Sequence, residues 1–280
     1  MLKRYRSIVR IAAILLWGFL GYQYFYGNLR DGTSDKYHLM SLYSKLYDAD
    51  RDIIIRLPAD YNSADIDYPL IVKLDGFSNL ALHDEALDQI NKVSPYPDAI
   101  IVAIPSAAKK RLNELTPTGW TLQGYDGVVG EGDKFLEFVA KDVIPYVTSN
   151  YRTDGSTYIT GNSLGGLMSV YAIIQYPKIF NGGFVFSPSF WANDQAIVPL
   201  FKKSLDNGLW SGKLLFMALG SQEPQSMKHP YTQIYKAVYR HQPSEFIWKQ
   251  VILIGGTHSS TQPRTLSQAY HLWSTSEVDK

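Results

Sequence analysis

Residues 157–174 read TYITGNSLGGLMSVYAII, a short β-branched run, a glycine-flanked serine and a long apolar run in immediate succession. The order predicts a strand, a tight turn and a helix. Gly161-Asn-Ser-Leu-Gly165 fits G-x-S-x-G, and its place between strand and helix is the arrangement a nucleophile elbow requires. Such a turn is so crowded that side chains two positions either side of the serine would collide, hence glycine at both. Ser163 is thereby presented at the sheet's carboxyl edge, where the positive end of the following helix dipole also points.

Working outward, strand and helix signals alternate. The runs at 52–57 (DIIIRL), 70–74 (LIVKL), 99–104 (AIIVAI), 183–186 (GFVF), 214–219 (LLFMAL) and 246–254 (FIWKQVILI) are short and apolar, with 158–160 a brief strand before the serine. Pro, Gly and Asp bound many of them, as in strands buried on both faces of a parallel sheet. Helical spacing marks 135–147, interrupted late by Pro145, and also 164–176, 231–240 and 265–273. Tyr231, Tyr235 and Tyr239 fall on one helix face and are expected in the core. This alternation predicts a mostly parallel central sheet with helices on both faces. No internal repeat or second domain is visible.

A serine hydroxyl is a poor nucleophile until a base takes its proton. In this type of fold the order along the chain is serine, acid, histidine. Of the six histidines, His38 and His83 precede the serine. His229, His241 and His271 lie in helices or at their edges, where solvated histidines are expected. His258 stands in Gly255-Gly-Thr-His-Ser-Ser directly after the last strand and is the expected base. Glu223 is the only carboxylate in the loop GSQEP that follows the 214–219 strand. It would accept a hydrogen bond from the imidazole and set its tautomer. Oxyanion donors are expected from the N–H of Leu164 and, after the 70–74 strand, from Phe77, with Gly76 turning the backbone towards the site.

These segments resemble the esterase family of α/β hydrolases that includes siderophore (enterobactin-type) esterases and is similar to the mycolyltransferases. The resemblance runs over about residues 50–275. It is carried by LPADYNS (57–63), YPLIVKLDGFSN (68–79), RLNELTP (111–117) and the long stretch from GDKFLEF to FSPSFW (132–191). It implies an α/β-hydrolase fold, Ser163 as nucleophile, Glu223 as acid, His258 as base, and Leu164 and Phe77 as oxyanion donors. It also implies that Arg111 and Trp191 border a small-molecule ester substrate, with siderophore-type esters the family's suggestion. The chain departs from many members in carrying Asn162 before the nucleophile. An irregular acid loop leaves a Ser–His dyad as the alternative at Glu223.

Charge and composition exclude other classes. Lys and Arg total 27 against 26 Asp and Glu, and Lys3, Arg4, Arg6 and Arg10 hold four of the bases. Without them acids slightly outnumber bases, so no nucleic-acid partner is expected. Cysteine is absent, which excludes disulfides, thiolate zinc sites and a cysteine nucleophile. No HExxH, Walker or dinucleotide motif is present, so neither a metal nor another cofactor is expected. Residues 11–26 (IAAILLWGFLGYQYFY) follow the basic cluster. They are short against the roughly 20 residues that span a bilayer, lack a small-x-small cleavage signal, and end in an aromatic belt. Residues 1–27 are therefore read as a signal-anchor, with a cleaved signal peptide as the alternative. Residues 28–36 are read as a tether and 37–280 as an extracytoplasmic catalytic domain. The rival functions are acyl transfer through the same triad and a tethered, non-catalytic binding protein.

Overall fold

The structure is a computed structural model that describes residues 36–278 apart from 77, 94–97, 107–109 and 128. The expected anchor at 1–27 and nearly all of the tether lie outside the described residues. Among the described residues no helix is long and apolar enough to cross a membrane.

Eight strands form one sheet in the order β1-β2-β4-β3-β5-β6-β7-β8. They are β1 (Tyr37–Ser44), β2 (Ala49–Arg56), β3 (Tyr68–Leu74), β4 (Ile100–Ile104), β5 (Thr153–Asn162), β6 (Gly182–Phe186), β7 (Leu214–Gly220) and β8 (Ile247–Leu253). β2 runs antiparallel to β1 and β4; every pairing from β4 through β3 to β8 is parallel. The fold is that of an α/β hydrolase. All the loops that follow β3 and β5 to β8 consequently emerge at one edge.

β3, β4, β6 and β7 are buried throughout, as their continuous apolar runs require. Leu70, Val72 and Leu74 of β3 face one core and Ile71 the other, the alternation inherent in a pleated strand. The larger core is covered by α3 (Gly132–Phe138), α4 (Ile144–Asn150), α5 (Leu164–Gln175), α6 (Ile197–Asp206) and α7 (Gln225–Arg240). The smaller one lies under α1 (Leu80–Ile90) and α8 (Thr261–Val278). A short helix, α2 (Arg111–Glu114), stands beside the site.

Several elements differ from expectation for identifiable reasons. β5 begins at Thr153, well before residue 158, because the polar segment TDGST pairs with β3 through its backbone across a register irregularity. The helix over 135–147 passes Pro145 through a π-helical turn, Val139–Val143, after which Pro145 stands in the first turn of α4. There its missing N–H costs nothing. Of the three tyrosines expected in the core, only Tyr231 is buried; Tyr235 and Tyr239 are 36% and 80% exposed. A four-residue spacing drifts around a 3.6-residue helix, and the two outer rings stack on each other instead, with Tyr235 also stacked on the partly buried Trp248.

Candidate active site

At the end of β5, Ser163 has φ 60° and ψ −120°, a left-handed conformation that is strained for a residue with a Cβ. The strain is imposed from several sides. Ser163 N–H donates to the Phe186 carbonyl at 3.0 Å, and its own carbonyl accepts from Leu167 N–H at 3.1 Å and Ser189 N–H at 3.0 Å. A Cβ on Gly161 would stand 2.3 Å from the Gly165 carbonyl carbon, which is the predicted collision. The Ser163 hydroxyl makes no capping bond to α5, so the serine is not there as a helix cap. Leu164 opens α5 and is buried.

The loops after β7 and β8 bring the predicted acid and base together. Glu223 is 2% exposed. Its Oε1 accepts from Ser187 Oγ at 2.7 Å, Gly220 N–H at 2.8 Å and Thr261 Oγ1 at 3.4 Å. Its Oε2 lies 2.9 Å from His258 Nδ1. Burial alone would raise the Glu223 pKa. The hydrogen bonds from His258, Ser187 and Gly220 outweigh it and hold the carboxyl below its ordinary range. A carboxylate only accepts, so Nδ1 carries the hydrogen and Nε2 keeps its lone pair. That is the tautomer a general base needs. The imidazole is half-exposed.

Ser163 Oγ is 3.2 Å from Ser189 Oγ and makes no hydrogen bond to His258 among the described residues. The two are linked indirectly. Ser187 and Ser189 follow β6, between the serine's strand and the acid's. Ser187 N–H donates to Ala218 of β7 at 2.8 Å while its hydroxyl holds Glu223. Sequence reasoning assigned no role to either serine, although SPS stands directly after a strand that neighbours β5.

On the other side of Ser163 the chain leaves β3 through Asp75 and Gly76, with φ 63° and 42°. Only glycine is admissible at 76, since a Cβ there would stand 2.6 Å from Pro105 Cα. Phe77, the predicted second oxyanion donor, lies outside the described residues. Arg111 grips Asp75 through both carboxylate oxygens, at 2.5 and 2.8 Å. Asp75 Oδ2 in turn lies 3.2 Å from where a Cβ on Gly165 would stand. The ion pair therefore stands against the first turn of α5. At the other end of α2, Glu114 pairs with Arg51 of β2 at 2.8 Å, both largely buried. Trp191 is partly buried against the larger core and precedes three left-handed residues, Asn193, Asp194 and Gln195. That turn is tied to the 121–123 segment by Asn193 N–H to the Thr121 carbonyl and by a Gln123–Asp194 hydrogen bond. Asn162 closes β5, its Oδ1 buried without a hydrogen-bond partner among the described residues. No group of three or more His, Asp or Glu able to hold a metal occurs among the described residues.

A family model described as "Putative esterase" matches residues 44–246. An uncharacterized protein of Bacillus subtilis strain 168, YbbA, is 28% identical over 180 residues, 62% of this chain and 69% of its own length. A siderophore enterobactin esterase of Emericella nidulans is 31% identical over 100 residues, 34% of this chain and 33% of that protein. The crystal structure of an IroE-like serine hydrolase from Shewanella oneidensis is similar with a TM-score of 0.73 and 25% identity. It covers 85% of this chain and 78% of that one.

Proposed function

The chain belongs to the esterase family whose model spans residues 44–246, and we propose that it hydrolyses carboxylic esters through an acyl-enzyme on Ser163. The observation that carries the reading is the 2.9 Å contact between His258 Nδ1 and the buried, multiply bonded Glu223 carboxylate. It leaves Nε2 as a base at the same sheet edge as a strained serine. Ser163 Oγ attacks the ester carbonyl carbon as His258 Nε2 takes its proton. The developing oxyanion meets the Leu164 N–H and, in this reading, that of Phe77. The C–O bond to the alcohol then breaks, and His258 returns the proton to the leaving oxygen. Water, deprotonated by the same nitrogen, cleaves the acyl-enzyme and releases the acid. The serine hydroxyl rests on Ser189 at 3.2 Å and turns to His258 when substrate arrives, since catalytic hydrogen bonds tighten in the Michaelis complex.

Siderophore-type esters are the proposed substrates. The Emericella nidulans relative's name supports this, as does Arg111, whose Nε and Nη2 hold Asp75 while its Nη1 makes no hydrogen bond among the described residues. Hydrolysis of p-nitrophenyl acyl esters by residues 28–280, lost in both Ser163→Ala and His258→Ala, would support the mechanism. Full activity in Ser163→Ala would overturn it. Adding a competing alcohol and analysing the products separates hydrolysis from acyl transfer.

The basic cluster and apolar run before residue 27 support an N-terminal anchor, with the catalytic domain outside the cytoplasm. Retention of the full chain in carbonate-washed membranes, with an intact N-terminus, would bear this out; release into the wash would refute it.

A further inference from the structure

We propose that Lys73 is a positioning residue of this site, acting from the opposite face of the sheet by holding the turn at 74–76 in the shape that stabilises the reacting ester. The inference rests on the ester-hydrolysis reading above and adds a residue that reading does not use.

Lys73 is the next-to-last residue of β3 and is 2% exposed. By strand alternation it shares a face with Ile71, over the smaller core, where an aliphatic side chain is the expected occupant. An ammonium there is costly unless it is hydrogen-bonded. Among the described residues it forms no ion pair; Asp75, the carboxylate that acts on it electrostatically, is held by Arg111. Its Nζ instead donates to the Gly76 carbonyl at 2.8 Å and the Leu74 carbonyl at 3.2 Å.

Those two carbonyls flank the least relaxed backbone beside the site, the left-handed pair Asp75 and Gly76. In a trans peptide the carbonyl and the N–H that follows it point in opposite directions. A group that holds the Leu74 carbonyl therefore also sets the direction of the Asp75 N–H. By holding the Gly76 carbonyl as well, it fixes both ends of the turn whose Asp75–Arg111 pair stands against the first turn of α5, which Leu164 opens. The far end of the loop is held from the same side. Asn79 Nδ2 donates to Gln262 Oε1 at 2.8 Å, Gln262 Nε2 to His83 Nε2 at 3.2 Å, and His83 Nδ1 meets Tyr270 Oη at 2.5 Å. His83 comes from α1, Gln262 and Tyr270 from α8. The amine interacts electrostatically with Asp75 and with His83. Burial, and next the positive charge of Lys73, hold His83 neutral, which leaves its Nε2 free to accept from Gln262. A costly cation placed where a leucine would pack, and bonded among the described residues to Leu74 and Gly76 alone, breaks a local rule next to a functional site, where such breaks are expected.

Two variants test it, Lys73→Met, which keeps the stem and removes every donor, and Lys73→Gln, which keeps an NH2 on a shorter stem. We expect kcat for p-nitrophenyl butyrate to fall about tenfold in Lys73→Met, less than the loss from deleting an oxyanion donor outright. KM should stay within about twofold, and the rate of phosphonylation by a fluorophosphonate should fall in parallel with kcat. Lys73→Gln should fall between Lys73→Met and wild type. The melting temperature of Lys73→Met should equal or exceed that of wild type, because a buried charge has gone. Wild-type kcat in Lys73→Met, a loss confined to KM, or a kcat loss matched by a lower melting temperature would overturn the proposal. Lys73→Gln alone then decides if Lys73→Met does not fold. Ser163→Ala, assayed alongside, separates the two claims. If Ser163→Ala is silent and Lys73→Met is fully active, only the positioning role fails.

Discussion

On one side of Ser163, the proposed acid and base, Glu223 and His258, stand on two successive loops, each a few residues past the end of its strand, and meet in one direct contact at 2.9 Å. On the other, the turn at 74–79 is held by groups scattered through the chain. Lys73 and Arg111 act on its first half and Gln262 on its last, while Arg51 of β2 holds the far end of the helix that carries Arg111. The contrast teaches where each half takes its precision from. The acid–base half is fixed by topology, because parallel strands deliver consecutive loops to one edge. The turn half is fixed by one local lysine and by long-range bonds from Arg111 and Gln262, which together oppose a strained backbone.

Changes on the acid–base side should act chiefly on chemistry. His258→Ala should lower kcat by about 10⁴-fold with little change in melting temperature, since the ring is half-exposed; a loss under tenfold would remove His258 as base. Glu223→Ala should lower kcat by about 10²–10⁴-fold. It should also cost about 1–3 kcal/mol, because Ser187 Oγ and Gly220 N–H lose their buried acceptor. The sign of its pH dependence follows. The folded-state pKa of Glu223 lies below the unfolded one. Its contribution is therefore complete above the ordinary carboxylate range and is lost as pH falls through the depressed value. Urea titrations from pH 7 to pH 3 should show wild type losing its advantage over Glu223→Ala.

On the turn side the effects should be smaller and divide between stability, turnover and binding. Burial lowers the Lys73 pKa to about 8 from 10.5. Between those values the unfolded chain holds a proton that the folded one has released, so stability rises with pH there, by up to about 3 kcal/mol. Lys73→Met should abolish that rise; an unchanged slope would mean the amine is not buried as described. The smallest effect is expected for Arg111→Met, about a tenfold rise in KM with kcat within threefold, read from steady-state kinetics on a catechol-bearing ester. A fall in kcat alone would place Arg111 with the turn rather than with the substrate.

What could be read from the sequence divides along the same line. The strands at 70–74, 99–104, 183–186, 214–219 and 246–254 were legible because buried parallel strands are continuous apolar runs. The proposed site residues stood out in the sequence because Ser163 directly follows a strand and Glu223 and His258 lie a few residues past one. Ser187 and Ser189 were not, since nothing local distinguishes a serine that supports a carboxylate from one in a turn. Lys73 was quoted within its strand yet carried no signal of its own. Its role depends on the strand's register, on α1 and on α8, and α1 was not anticipated. Tyr235 and Tyr239 were misplaced because spacing alone gives a face and not its depth.

The most direct test of the account is the site of covalent modification by a fluorophosphonate, mapped by peptide mass spectrometry on the folded protein. Ser163 and Ser189 present hydroxyls 3.2 Å apart, so the experiment discriminates between neighbours. The account predicts a single adduct on Ser163, absent in Ser163→Ala and at least 10³-fold slower to form in His258→Ala. An adduct on Ser189, or none at all on a folded chain, would contradict it.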